Sequence, residues 1–122
     1  MIDKQRYFDG KNVNRVAIAM DIKYRRISHD QVMEIVNDPD ISSTFFEDSY
    51  KDKVPKNQWN EKYLDELSYA VVAESFNKDY LLYLEKVANS VSSKKNNYKI
   101  VIGGIVLTVA VVALVVVIGN LI

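Results

Sequence analysis

His29 and Asp30, with Met33 and Glu34 four residues beyond them, bring the chain's one imidazole within a helical turn of a carboxylate. A zinc site takes roughly three or four N, S or O ligands, usually more than one of them His or Cys. The sequence holds a single His and no Cys, so no metal or cofactor is expected. His29 reads instead as an exposed residue in the first turn of a helix; it would titrate as a pH sensor only with a neighbour to read it. The carboxylate pairs Glu47 with Asp48 and Asp65 with Glu66 are adjacent in sequence, so they diverge rather than converge on one reacting centre. Ser42, Ser43 and Thr44 cluster their hydroxyls without a nucleophile elbow around them. Gly103 and Gly104 match neither glycine-rich phosphate-binding spacing. These residues predict no enzyme.

Residues 29–38 could be read as the second helix of a helix-turn-helix. They carry Asp30, Glu34 and Asp38, with Asp40 just beyond, and no Lys or Arg. Base readout needs Arg, Asn or Gln on a cationic face, so phosphate would be repelled and nucleic acid is not an expected partner. Charge is unevenly spread along a chain whose formal net charge is zero. Residues 1–26 hold seven Lys or Arg against three acids, and residues 27–52 hold seven acids against one Lys. Arg15, Lys23, Arg25 and Arg26 could touch phosphate or lipid headgroups, but no stretch has the roughly 4–8 clustered cations of a lipid-binding segment. Solvated faces, or pairing with the acids that follow, are the expectation.

The 23 residues from Ile100 to Ile122 contain no charged side chain. As a helix they would cover roughly 34 Å, against about 30 Å of bilayer hydrocarbon. A single transmembrane anchor is therefore expected over 99–122, including Ile100, Gly103, Gly104, Thr108, Ala110, Ala113 and Ile118. Lys94, Lys95 and Lys99 precede it and nothing charged follows, which by the positive-inside rule puts the N-terminal body in the cytoplasm. The opening MIDKQRYFDG lacks the apolar core of a secretory signal. The expected topology is thus tail-anchored and single-pass, and the Lys-, Asn-, Tyr- and Ile-rich composition fits a bacterial inner or plasma membrane. Gly104 and Thr108 stand in a small-xxx-small relation that would let spans self-associate. With only Thr108 and Asn120 polar, the span has no wet face to line a pore.

Apolar periodicity predicts an all-α body of about four helices in residues 1–92. The first, over 12–26, shows the stripe Val13, Val16, Ala17, Met20, Tyr24 and Ile27, with Ile18 and Ile22 lying off it. Ser28 and Gln31 make a capping box for the second, whose apolar side is Val32, Ile35 and Val36 until Pro39 stops it. Residues 38–57 have two prolines and no period, and read as a long loop. The third helix, over 57–74, aligns Trp59, Tyr63, Leu67, Ala70 and Val71. The fourth follows Asn77, aligns Tyr80, Leu84, Val87 and Val91 beside Leu81, Tyr83 and Ala88, and ends near Ser92. The short break between these two predicts a helical hairpin, and residues 93–98 read as a polar juxtamembrane hinge. No repeat is present.

Phe45, Phe46, Tyr50 and Trp59 surround the two prolines. Large aromatics beside a loop are the residues that dominate interfaces, so these four form the candidate partner surface. The expectation is a tail-anchored, non-enzymatic interaction, scaffold or accessory module whose partners are the lipid bilayer and other proteins, with homo-oligomers through the span. The alternative is a holin-like or toxin-like effector that oligomerises in the bilayer.

Overall fold

The computed structural model describes residues 1–49 and 51–102, those from 93 onward as backbone. It divides into two compact units, Met1–Asn89 and Ser90–Ile122. In the first, a 3-10 turn, Lys4–Tyr7, leads into a two-stranded hairpin, β1 (Phe8–Asp9) and β2 (Asn12–Val13). Then come α1 (Arg15–Lys23), α2 (His29–Asn37), α3 (Pro39–Ser42), a 3-10 turn at Lys56–Gln58, α4 (Glu61–Ala73) and α5 (Lys78–Ile102). The body is helical, as the periodicity predicts.

The helix starts are written in side chains. Asn14 accepts from the Ala17 N–H at 3.0 Å, Asn60 from Tyr63 at 2.8 Å, and Asn77 from Tyr80 at 3.0 Å, each satisfying one of the orphan donors of a first turn. Ser28 and Gln31 form the expected capping box. Asp38 ends α2 and accepts from Asp40 and Ile41, so Pro39 opens α3 at a position that needs no N–H. The expected loop over 38–57 therefore begins with a helical turn.

The core gathers Ile18 and Ile22 of α1, Val32, Ile35 and Val36 of α2, and Ile41 of α3. Leu64, Leu67 and Val71 of α4 and Leu81, Leu84 and Val87 of α5 complete it, with Phe76 between those two helices. Each such side chain contributes about 1.5–3 kcal/mol. The Tyr63 hydroxyl of α4 meets that of Tyr83 on α5 at 3.0 Å.

Three features depart from the sequence reading. The hairpin was not visible in alternation because each strand has two residues; its signal is Gly10-Lys11, with Gly10 at φ 64° as the first residue of a two-residue turn. The buried face of α1 is Ile18, Ala19 and Ile22 rather than the longer stripe, and Val16 and Tyr24 stay 55% and 56% exposed. Finally, α5 continues through residues 93–98, where a hinge was expected, to Ile102. Ser, Lys and Asn cost a helix little, and that stretch has neither Gly nor Pro to end it. Among the described residues no helix is long and apolar enough to cross a membrane. Gly103, Gly104, Thr108, Ala110, Ala113 and Ile118 of the expected anchor lie outside them, as do the side chains of Lys94, Lys95, Lys99 and Ile100.

The setting of α1 can be checked directly. Ile18→Ala should cost about 2–5 kcal/mol by urea denaturation, whereas Val16→Ala should stay within about 0.5 kcal/mol. A larger cost for Val16→Ala would mean the helix is turned the other way, and equal costs would mean neither face is preferentially buried.

Candidate functional site

Asp21 is the natural place to look for chemistry, because it is a carboxylate only 1% exposed. Its oxygens are taken. Arg6 clamps both of them, Nε at 2.6 Å and an Nη at 2.7 Å; the Tyr7 hydroxyl donates at 2.8 Å and Arg26 at 3.2 Å. The hydrogen bonds from Arg6, helped by Tyr7 and Arg26, outweigh burial and hold the carboxyl down to about 2. Burial, and then the Asp21 carboxylate, push the Tyr7 phenol up to about 12. With four bonds accepted and its pKa depressed, the Asp21 carboxylate is committed to Arg6, Tyr7 and Arg26 at neutral pH. The cluster is a latch that holds the N-terminal segment against α1.

Other contacts extend the latch. Lys4 reaches Asp40 at 2.8 Å and Asp38 at 3.1 Å, and the N-terminal amino group lies 3.4 Å from Glu34. His29 places Nδ1 3.0 Å from Glu85 of α5, with its ring exposed. Ser42, Ser43 and Thr44 donate to the carbonyls of Pro39, Asp40 and Ile41, closing the α3 turn. Among the described residues, no three His, Cys, Asp or Glu side chains gather as metal ligands would.

The aromatics divide into two sets at the ends of a strap linking α3 to α4. At the first end Phe45 meets the buried Phe76 edge-on, ring centres 5.5 Å apart, and the Phe46 N–H donates to the Phe76 carbonyl at 2.9 Å. The Arg15 guanidinium lies 4.4 Å from the centre of the Phe46 ring and donates to the Thr44 carbonyl at 2.7 Å. Both phenylalanines are half-buried, so they present a fixed apolar edge. Arg15 sits here, and not on a phosphate-facing surface.

At the other end the strap backbone is held by tyrosine hydroxyls. Tyr80 donates to the Lys51 carbonyl, and Tyr83 accepts from the Val54 N–H at 3.2 Å. The Lys53 ammonium stands 5.2 Å from the ring centres of both Tyr80 and Tyr83 and 2.8 Å from Asp79. Burial and the Tyr83 hydroxyl raise Tyr63 well above the ordinary phenol range. Trp59, expected on the partner surface, is buried here: its ring packs edge-on to Tyr83 at 5.7 Å and its Nε1 donates to the Val54 carbonyl at 3.1 Å. A flat aromatic that also carries a donor suits this place, since it fills volume and ties backbone at once. Tyr50 lies outside the described residues. Of the four candidate partner residues, the structure leaves Phe45 and Phe46 at the surface together.

No known protein family, curated protein or solved structure matches this chain.

Two outcomes test these ties. Asp21 titrates near 2 when folded, below its ordinary 3.8, so it stabilises the fold above about pH 4 and loses that contribution as pH falls toward 2. Asp21→Asn should cost about 2 kcal/mol at neutral pH, and the gap to the wild type should close across that acid window, as read from urea midpoints. Tyr83→Phe strips the Val54 N–H of its acceptor. It should cost about 1–3 kcal/mol and expose the strap to trypsin at Lys51 and Lys53 before the helices unfold.

Proposed function

We propose that this chain is a membrane-held interaction module with no catalytic role, its body displayed on the cytoplasmic face by a C-terminal span. The observation that carries the reading is the uncharged 23-residue run from Ile100 to Ile122 behind Lys94, Lys95 and Lys99. The Phe45 and Phe46 edge supports the second half of it. Two half-buried rings fixed by Phe76 and Arg15 lose little freedom when a partner covers them, so a small apolar edge yields more affinity than loose side chains would.

The anchor is tested by washing membranes from expressing cells with alkaline carbonate, and orientation by protease added to intact and opened vesicles. The chain should stay in the pellet and its body should be cut only from the cytoplasmic side; release into the supernatant would defeat the anchor. For the surface, a photo-crosslinking amino acid at Phe46 should capture a discrete partner. The Phe45→Ser, Phe46→Ser double variant, judged by pull-down with helical circular dichroism retained, should lose it. An unchanged partner set sinks this edge. Expression that depolarises cells, and stops doing so when Gly104 and Thr108 become Leu, would favour the membrane-active effector instead.

A further inference from the structure

Two exposed apolar patches of opposite charge lie on the pair of helices at the centre of the body. The first is on α1, where Val16, Met20 and Tyr24 recur every fourth residue; Met20 is half-buried, and the outer two are more than half exposed. Its rim is cationic. Lys23 and Arg26 lie 5.0 and 4.9 Å from the centre of the Tyr24 ring, and Arg25 follows.

Arg25 stands in an unusual place. The Arg26 N–H returns to the Asp21 carbonyl at 2.8 Å and the Arg25 N–H to Ile22 at 3.1 Å, a Schellman ending for α1. That ending puts Arg25 at φ 56°, a left-handed position usually given to Gly. The side chain is exposed and makes no ion pair among the described residues. A long cation is thus held outward at a backbone cost that glycine would avoid, and strain of this kind points to use.

The second patch is on α4. A groove of about 450 Å³ has Ala70 and Ala73 in its lining, with Tyr69, 81% exposed, beside them. Asp65, Glu66 and Glu74 also line it, against Lys51 alone. Asp65 is engaged by Lys23 at 2.7 Å and Glu66 lies 3.9 Å from Lys51, while Glu74 has no ion pair among the described residues. Apart from Met1, Val16, Tyr24 and Tyr69 are the large apolar side chains left exposed among the described residues.

We propose that a second copy of this chain seats the Val16, Met20 and Tyr24 strip of its α1 in the Tyr69 groove on α4, with Arg25 meeting Glu74. Complementary charge chooses the occupant. Lys23 is paired with Asp65, Arg26 with Asp21 and Lys51 with Glu66, so among the described residues Arg25 on the strip and Glu74 in the groove are the charges left to meet across the contact. A lipid surface would account for the strip and leave the acidic groove unexplained. Strip and groove adjoin on α1 and α4, which the Lys23–Asp65 bridge joins, so the contact is compatible both with a two-fold pair in which each copy seats the other's strip and with a continuing row of copies. It is separate from the Phe45 and Phe46 edge and does not depend on that edge's having a partner.

The absence of native cysteine gives a direct test. Full-length chains carrying Tyr24→Cys, Ala73→Cys or Lys86→Cys, reconstituted in nanodiscs or micelles and mixed in pairs, are joined with a short thiol cross-linker. The Tyr24 and Ala73 pair should couple at least about tenfold better than Tyr24 with itself or with the control at Lys86, as complementary against like-charged contacts require. Adding Arg25→Glu to one partner, or Glu74→Arg to the other, should remove the preference. Adding both should restore it, with circular dichroism unchanged throughout. Equal yields from every pair, or charge reversals without effect, overturn the proposal. So does protection of the Tyr24→Cys thiol that needs only anionic lipid and no second copy, which would make the strip a headgroup contact.

Discussion

A carboxylate placed in a small apolar core must be matched by donors or it cannot remain there, and Asp21 imposes this condition on everything around α1. Its partners come from both sides in sequence, Arg6 and Tyr7 before it and Arg26 after. The N-terminal segment must therefore lie across α1, and the hairpin at Gly10 is what reverses the chain so that it can. On the other side, the left-handed turn at Arg25 carries Arg26 back to the carboxylate and closes the helix with the same bonds. In most Schellman endings a hydrophobic contact joins these two positions; here an ion pair does. Once Asp21 faces inward, the rotation of α1 is set: Ile18 and Ile22 go in with it, and Val16 and Tyr24 are left out.

The strap shows a second way in which a body of this size stabilises irregular chain. Segments without helix or sheet leave backbone donors and acceptors to be satisfied one by one. Tyr80 and Tyr83 do this from α5 and Trp59 from within the strap itself, each placing an apolar ring in the interior and a polar tip on the strap backbone. The arrangement explains why so many tyrosines can be buried in a charge-rich chain. It also separates the strap functionally, since the end near Trp59 is consumed in holding the fold while the end at Phe45 and Phe46 remains half open.

How far the fold was legible follows from the same physics. The capping box at Ser28 and Gln31 and the stripes of α4 and α5 were readable because their signals are local and their buried positions apolar. The face of α1 was not, because Asp21 makes the true core side look polar, and only its contacts fifteen and fourteen residues back show that the charge is neutralised. Trp59 was misplaced for a related reason: composition says that a tryptophan beside prolines is valuable, and only the bond to Val54 shows that its value is internal. Of the proposed self-contact, the sequence carried the charge asymmetry between residues 1–26 and 27–52 but not the groove, whose acids come from farther along.

Neither the phenylalanine edge nor the α1 strip is large, and taken alone in solution such patches fall short of the roughly 1,200–2,000 Å² that specific complexes bury. Confinement alters that arithmetic. A body tethered to a bilayer meets its neighbours at an effective concentration set by tether length and lateral density, so a weak contact is populated without added area, and gains in avidity of about 10²–10⁴ arise with no new interaction. The proposed anchor and the modest surfaces are therefore two parts of one economy of design: place supplies what area does not. Contacts of this strength also release readily, because affinity differences among related interfaces lie mostly in the dissociation rate. A chain built this way would gather partners while embedded and let them go when dispersed.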